Sequence, residues 1–200
     1  MANIPPHVRQ VVLDAGLFKS IAATETPRAV AAIIHFDFKE RFRSERAGHA
    51  KLVLVLDRIR DPGNMGTIIR TAAAAGVELI YYTSGSADPY SPKVLRATAG
   101  AIFAVQVEEA RKPLNLIRDL KQEGLQLVAA AARSGCSYWS VDYGMPTALL
   151  IGSEADGIAE ELSAEADYIV SIPLGGPVES LNAAVASAVI IYEIIRCRRT

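Results

Sequence analysis

The chain has 200 residues, of which half are apolar, and it balances 21 Lys and Arg against 22 Asp and Glu. This length suits one globular domain with a short appendage, and the apolar content excludes a disordered chain. The two cysteines, Cys136 and Cys197, cannot build a disulfide framework, and no apolar run is long enough to cross a bilayer. Because the first ten residues also differ from a secretory signal, we predict a soluble, cytoplasmic protein without membrane association.

Residues 1–50 differ in composition from the rest of the chain. A helix-like segment at His7–Ala15 precedes a polar turn, a short apolar run at Ala29–Ile34 and a charged stretch at residues 39–51. So few apolar positions cannot form an independent core, because small domains bury too little surface. We therefore interpret residues 1–50 as a partial accessory module with a charged linker, and residues 51–200 as the main domain.

From residue 52 onward, short apolar runs alternate with helix-like segments. The runs, which are typical of strands buried on both faces, are Leu52–Leu56, Val77–Tyr82, Leu125–Ala130, Ala148–Ile151 and Tyr168–Ile172. The helical candidates are Met65–Ala75, Pro92–Thr98, Pro113–Gln122 and Leu181–Arg199. This alternation predicts an α/β domain with a mostly parallel sheet.

The sequence lacks the residues that several kinds of chemistry require. No Gly-x-Gly-x-x-Gly motif follows a strand, and the loop that begins at Gly152 has no lysine to bind phosphates, which disfavours a nucleotide-binding fold. The three histidines (His7, His35 and His49) all precede the main domain, so neither a nucleophilic triad nor a metal site is predicted there. Because the net charge is −1, nucleic acid must be bound by a local basic surface.

The first segment that could carry chemistry is Asp61–Ala72, which follows the first predicted strand. Asn64 is placed to cap the helix, and Arg70 is expected to emerge beside the carboxyl ends of the strands, where parallel α/β sheets bind ligands. Taken alone, the segment fits an ordinary helix cap and a solvated arginine equally well.

A second segment, Leu149–Gly157, leads a buried strand into a loop with two glycines and a carboxylate. Gly152 would let a ligand approach the backbone closely, and Glu154 could act as a base or orient a hydroxyl group. Taken alone, a turn whose acidic residues cap the following helix is the simpler interpretation.

A third segment, Ile172–Asn182, contains two glycines and two prolines. Such a loop is rigid but permits close approach, so its backbone polar groups can recognise a flat heterocycle. Ser180 or Asn182 can cap the helix that follows, whose first half is rich in small residues and is expected to pack tightly. A core helix after a loop explains the alanines but not the order of the loop residues.

Taken together and in this order, the three segments resemble the SpoU (TrmH-type) branch of the SPOUT RNA ribose methyltransferases. The matching residues are Asn64-x-Gly66-x-x-x-Arg70, Gly152-x-Glu154-x-x-Gly157 and Ile172-Pro-x-x-Gly-x-x-x-Ser180-Leu-Asn182. The resemblance covers roughly residues 50–195, and three ordered motifs are more specific than any one of them.

This resemblance implies an α/β fold whose C-terminal segment is threaded into a trefoil knot, an exception to the rule against knots. It implies S-adenosylmethionine as the cofactor, held by backbone around Gly152, Ile172 and Leu181, with Ala130 alongside. It also implies a homodimer formed through the final helix, with the active site between the subunits. The expected product is RNA with a 2′-O-methylated ribose.

Each polar residue of the motifs has an expected role within that resemblance. Arg70 is often assigned as the base in this family, but a guanidinium stays protonated below pH ~12, so we expect it to bind phosphate and stabilise the developing alkoxide. Glu154 or a phosphate oxygen would accept the hydroxyl proton. Asn64 and Asn182 would orient these groups, and Ser180 would hold the loop or bind the substrate.

The stretch from Leu17 to Ala32 resembles only the last part of the L30e-type RNA-binding domain that many family members carry. Residues 1–50 are therefore expected to be a remnant of that domain, and ribosomal RNA is favoured over transfer RNA because the domain is commoner among enzymes that modify ribosomal RNA. The charged residues 39–51 either contact phosphate or form a solvated linker. Two alternatives stay open: a non-catalytic RNA-binding protein of the same fold, and a nucleotide- or flavin-binding α/β domain.

Overall fold

The computed structural model describes residues 4–5, 7–22, 30–34, 52–77 and 79–198. Two compact units are distinguished, Met1–Asp37 and Phe38–Thr200. The charged stretch predicted at residues 39–51 lies outside the described residues.

The described part of the first unit contains one helix, α1 (Ala15–Ile21), none of whose residues is buried. The Asp14 side chain caps it by accepting hydrogen bonds from the backbone N–H groups of Gly16 and Leu17. The prediction of a helix at His7–Ala15 is therefore wrong. The capping carboxylate of Asp14 makes Ala15 the first residue of the helix, whereas the prediction made it the last.

The described part of the second unit is built on a sheet of seven strands, in which all neighbouring strands pair in parallel. The strands are β1 (Leu52–Asp57), β2 (Leu79–Thr83), β3 (Gln106–Ala110), β4 (Gln126–Ala130), β5 (Cys136–Ser137), β6 (Thr147–Gly152) and β7 (Tyr168–Ser171). Their order across the sheet is β3-β2-β1-β6-β4-β7-β5. The predicted α/β domain with a mostly parallel sheet is confirmed.

Within the described residues, five α-helices accompany the sheet: α2 (Pro62–Ala74), α3 (Pro92–Thr98), α4 (Pro113–Gln122), α5 (Glu160–Ser163) and α6 (Ala183–Arg198). They form two layers, because alternate residues of a strand point to opposite faces. Leu54 and Leu56 pack in one core with residues of α2, α3 and α6. Val53 and Val55 pack in the other core with residues of α4 and α5. None of the helices in the described part of the chain is long and apolar enough to cross a membrane.

The start of α2 differs from the prediction. Asp61, not Asn64, is the capping residue, and its carboxylate accepts a hydrogen bond of 2.8 Å from the Asn64 backbone N–H. The helix begins at Pro62, since proline lacks the N–H that a first helical turn leaves unpaired. The Asn64 side chain is thereby left available for other contacts.

The register of the central strands brings the ends of several strands to one edge of the sheet. Asp57 at the end of β1 lies opposite Gly152 at the end of β6, and Ala130 at the end of β4 lies opposite both Ile151 and Val170. Ligands of parallel α/β sheets bind outside the carboxyl ends of the strands. This edge is therefore where a functional site is expected.

Candidate active site

A cavity of about 420 Å³ opens at this carboxyl edge. It is lined by the segments that follow β4, β6 and β7 and by the start of α6. Among the lining residues are all four that the resemblance assigns to the cofactor, namely Ala130, Gly152, Ile172 and Leu181. Glu154 and Ser180 line the same cavity.

The loop after β6 is tightly folded, and Gly152 makes this possible. A Cβ atom at Gly152 would lie 2.1 Å from the carbonyl carbon of Gly157, so a side chain at this position would collide with the backbone. The loop turns back on itself as Gly157, with a φ of 64°, donates its N–H to the Ser153 carbonyl at 2.9 Å. The consequence is a rigid turn that presents Glu154 to the cavity.

The lining of the cavity combines small, apolar and polar groups. Consecutive alanines (Ala129–Ala132) leave space beside the sheet, while Ile172, Leu174 and Ile190 supply apolar surface. Hydroxyl groups and the Glu154 carboxylate provide the polar part of the lining. This mixture suits a ligand that has a flat apolar ring and polar ends.

A hydrogen-bonded cluster joins one polar residue from each of the three predicted motifs. Glu154 Oε1 accepts hydrogen bonds from Asn64 Nδ2 at 2.9 Å and from Asn182 Nδ2 at 2.7 Å. The Asn182 amide also donates to Asn64 Oδ1 at 2.9 Å. We call Asn64, Glu154 and Asn182 the polar cluster.

The polar cluster also caps α6. Glu154 Oε1 accepts a third hydrogen bond, of 3.1 Å, from the Ala183 backbone N–H. Asn182 Oδ1 accepts from the N–H groups of Ala184 and Val185, at 3.0 and 3.2 Å. A carboxylate is favoured at a helix N-terminus, where unpaired N–H groups concentrate positive potential. Glu154 thus caps α6, which is distant in sequence, and not the helix that directly follows it.

Arg70 is placed differently from the other candidates. Its side chain is exposed on α2, does not line the cavity, and forms no hydrogen bond or ion pair within the described residues. At about 1.5 Å per residue, it lies about 9 Å from Asn64 along the helix axis. Within one chain, hydrogen bonds therefore bring Asn64, Glu154 and Asn182 together, whereas Arg70 lies apart from them.

A second network, which sequence reasoning missed, lies at the end of β1. Asp57 is only 3% exposed, and its Oδ1 accepts a hydrogen bond of 2.7 Å from the Thr83 hydroxyl. Its Oδ2 accepts from the Ala159 N–H at 2.8 Å and from Arg58 Nε at 3.2 Å. The available signal was a carboxylate at the end of an otherwise apolar buried strand.

An ion pair connects two of the segments that line the cavity. Arg133, in the segment after β4, contacts Glu179, in the segment after β7, with Nη2 and Oε1 2.6 Å apart. Both side chains are largely exposed, at 64% and 79%, so the pair adds little stability. It nonetheless links the two segments beside the cavity.

Fold and cavity together define an α/β protein with a cavity of small-molecule size at the carboxyl edge of a parallel sheet. Residues 51–192 match the model of the SpoU rRNA Methylase family. The chain belongs to this family, and the family predicted from the three motifs is confirmed.

Similar proteins are found among both sequences and solved structures. The chain is 37% identical over 189 residues to an uncharacterised tRNA/rRNA methyltransferase from Synechocystis, an alignment that covers 94% of this chain and 68% of that protein. It is 34% identical over 193 residues to the 23S rRNA (guanosine(2553)-2′-O)-methyltransferase RlmP of Bacillus subtilis, covering 96% of this chain and 75% of that protein.

A solved structure extends the similarity to three dimensions. The SpoU methyltransferase AviRb from Streptomyces viridochromogenes, in complex with the cofactor AdoMet, has a TM-score of 0.71 and 32% sequence identity. The match covers 82% of this chain and 65% of that one. The chain thus spans 65 to 75% of the length of these three proteins.

Proposed function

We propose that this protein transfers a methyl group from S-adenosylmethionine to the 2′-hydroxyl of a ribose in RNA. The observation that carries the proposal is the polar cluster: Asn64, Glu154 and Asn182, from three separate motifs, meet beside a single cavity. Similarity to a methyltransferase of 23S rRNA favours ribosomal over transfer RNA as the substrate. The proposed location, with that substrate, is the cytoplasm.

The cavity fits the proposed cofactor in both size and chemistry. Its volume of about 420 Å³ lies within the range of ~300 to 1,000 Å³ that is usual for small-molecule sites. Backbone around Ala130, Gly152, Ile172 and Leu181 would hold the cofactor, with the apolar side chains against its adenine ring. When bound, S-adenosylmethionine supplies a methyl group on a positively charged sulfur.

The polar cluster is suited to take up the proton of the ribose hydroxyl. Three N–H donors hold Glu154 Oε1, and within the described residues Oε2 has no hydrogen-bond partner. Oε2 is therefore the oxygen of Glu154 that is available to accept a proton, while Asn64 and Asn182 fix the orientation of the carboxylate. A phosphate oxygen of the RNA is the alternative acceptor. Ser180, which also lines the cavity, would hold the loop or contact the substrate.

The proposed working form is a homodimer that forms through α6, with the active site between subunits. Val185 and Tyr192, at 49% and 51% exposure, are apolar residues seven positions apart on one face of α6. Because α6 packs against α2, Arg70 lies on a helix that would border the same interface. There it would bind phosphate and stabilise the developing alkoxide.

We also propose that the C-terminal segment is threaded into a trefoil knot. The strand order β6-β4-β7 departs from the order of the strands in the chain, so the connection from β6 to β7 passes over β4. The segment that leaves β7 then contacts the loop after β6, where Ala183 and Asn182 donate to Glu154. This contact supports the knot that the family resemblance implies.

Basic residues on α2 and α3 are the proposed contacts for the RNA backbone. The exposed side chains of Arg70, Lys93 and Arg96 form no ion pair within the described residues, and neither helix contains an acidic residue. The two helices touch closely at Gly66, which keeps these cations on adjoining surfaces. When cations without an ion-pair partner neutralise RNA phosphates, the counterions condensed on the RNA are released, which favours binding.

Two measurements test the proposed function. Calorimetry with S-adenosylmethionine is expected to show one cofactor per chain, and incubation of the protein with total RNA and tritiated-methyl cofactor is expected to label the RNA. Absence of cofactor binding would contradict the proposal. Cofactor binding without labelling would instead indicate a non-catalytic RNA-binding protein of the same fold.

A further inference from the structure

Arg58 adopts a backbone conformation that its residue type disfavours. Its φ is 53°, in the left-handed region where glycine is the usual residue. Among the described residues, Ala99 is the other non-glycine with positive φ, and it sits at a helix C-cap, where this conformation is common. Arg58 instead directly follows β1. An unfavourable backbone that no helix end explains points to a function of the side chain.

The side chain of Arg58 reaches two distant parts of the chain. Its guanidinium Nη2 lies 3.1 Å from Asp57 Oδ2 and donates a hydrogen bond of 3.3 Å to the carbonyl oxygen of Gly157. The backbone N–H of Arg58 donates to the Thr83 hydroxyl at 3.0 Å, which in turn donates to Asp57. Arg58 is thus fixed to β1 and β2 on one side and to the loop after β6 on the other.

The loop held in this way is the one that shapes the cavity. Residues 152–155, 157 and 158 line it, and Glu154 belongs to the polar cluster. Asp57 holds the far end of the loop through the Ala159 N–H, and Arg58 holds the Gly157 carbonyl two residues earlier. Two neighbouring residues at the end of β1 therefore fasten the wall of the cavity to the sheet.

We propose that Arg58 is a positioning residue for cofactor binding: it clamps the loop at residues 152–158 against the buried Asp57 so that the cavity is preformed. The proposal rests on the proposed function in that it takes S-adenosylmethionine as the ligand. A preformed cavity binds more tightly because the ligand does not have to order the loop.

Arg60 provides a matched control on the same loop. Its Nη2 lies 2.8 Å from Asp156 Oδ2, but both side chains are exposed, at 62% and 41%. The side chain of Arg58 is 30% exposed, and the side chain of its partner Asp57 is 5% exposed. Because solvent screens an exposed pair, removal of Arg60 should leave the loop in place.

The test compares Arg58→Gly, Arg58→Asn and Arg60→Ala in the full chain. Glycine and asparagine both tolerate the left-handed backbone, so each removes the guanidinium without imposing a new backbone. The Kd for S-adenosylmethionine, measured by calorimetry well below the Tm, should rise about tenfold in both Arg58 variants and stay within about twofold in Arg60→Ala. Hydrogen exchange of residues 153–158 in the cofactor-free protein should become faster in the Arg58 variants only.

The outcomes separate a positioning role from a structural one. If the Tm changes but the Kd and the exchange of the loop remain at wild-type values, Arg58 only supports the fold and the proposal is overturned. The same conclusion follows if Arg60→Ala weakens binding as much as the Arg58 variants do. Failure of the wild-type protein to bind the cofactor would overturn the proposed function itself, which is a different result.

Discussion

The Glu154 carboxylate is the single group on which the proposed chemistry depends most. Its Oε1 is saturated by two side-chain amides and the N–H that opens α6, which leaves Oε2 to meet a substrate. These contacts fix the orientation of the Glu154 carboxylate as well as the position of its charge, because the carboxylate cannot rotate without losing three hydrogen bonds. Positioning of this kind supplies much of the rate of a group transfer between two bound molecules.

Replacing Glu154 by Gln keeps the size of the side chain but removes the oxygen that accepts a proton. We expect kcat to fall about 100-fold or more, as for loss of a general base, while the cofactor Kd changes by less than about threefold. Single-turnover methyl transfer and calorimetry measure the two quantities. The control is Asp156→Asn in the same loop, which should keep wild-type kcat. Wild-type turnover in Glu154→Gln would assign the proton to a phosphate oxygen instead.

Arg70 makes a separate prediction because it does not line the cavity. Arg70→Ala should lower methyl transfer by at least about 100-fold through loss of charge stabilisation, with cofactor affinity unchanged. Arg118→Ala is the matched control, since Arg118 lies on α4 in the other helix layer and pairs with Glu165. Near-normal methylation by Arg70→Ala would reject its role.

Among the elements, α6 is notable because it is held at both ends. The polar cluster caps its start, and near its end Arg198 donates to the carbonyl oxygens of Tyr143 and Met145 at 2.9 and 2.8 Å. Burial lowers the pKa of the Arg198 guanidinium from its usual value. A helix held in this way keeps the cluster and the cavity wall in a fixed relation.

The contact between α2 and α3 depends on Gly66. A Cβ atom there would lie 2.3 Å from the Ala97 Cβ and 3.0 Å from the Val94 carbonyl oxygen. Gly66→Ala should therefore destabilise the protein by about 1 to 3 kcal/mol, the usual cost of overpacking, despite alanine's better helix propensity. Chemical denaturation measures the change. Gly175→Ala, where an added Cβ meets nothing within 4 Å, is the control and should be close to neutral.

The proposed RNA surface on α2 and α3 predicts a change in salt dependence. Removing Lys93 and Arg96 by alanine should weaken RNA binding and reduce the slope of log K against log salt by about 0.7 to 0.9 for each lost phosphate contact. Lys112→Ala is the matched control, because this lysine leads into α4 on the other layer and its side chain forms no ion pair within the described residues. An unchanged slope in the double variant would place the RNA elsewhere.

For the molecule as a whole, periodicity predicted the central sheet but not its edges. Buried central strands such as β1 and β6 are continuous apolar runs, which sequence reveals directly. The edge strand β3 contains Glu108 and Glu109, and β5 has only two residues, so neither produces an apolar run. The sequence therefore did not predict β3 and β5. Strands at the edge of a sheet are held by backbone hydrogen bonds to one neighbouring strand, which leave no apolar pattern in the sequence.

The sequence predicted which residues form the candidate site but not the hydrogen bonds between them. Asn64, Glu154 and Asn182 were found by motif, yet nothing in the sequence indicates that one oxygen of Glu154 joins residues 90 and 28 positions away. The left-handed backbone of Arg58 is equally hidden, since local sequence there is unremarkable. Both features arise from the order of strands in the sheet, which brings distant loops to one edge.

The most direct test of the central claim is to locate the methyl group in the product. RNA labelled by the wild-type protein with tritiated-methyl cofactor is hydrolysed with alkali, which cleaves every linkage except the one on the 3′ side of a 2′-O-methylated ribose. We predict that the label is recovered in alkali-stable dinucleotides and is absent when Arg70→Ala replaces the wild-type protein. Label recovered in mononucleotides would place the methyl group on a base and would contradict ribose methylation.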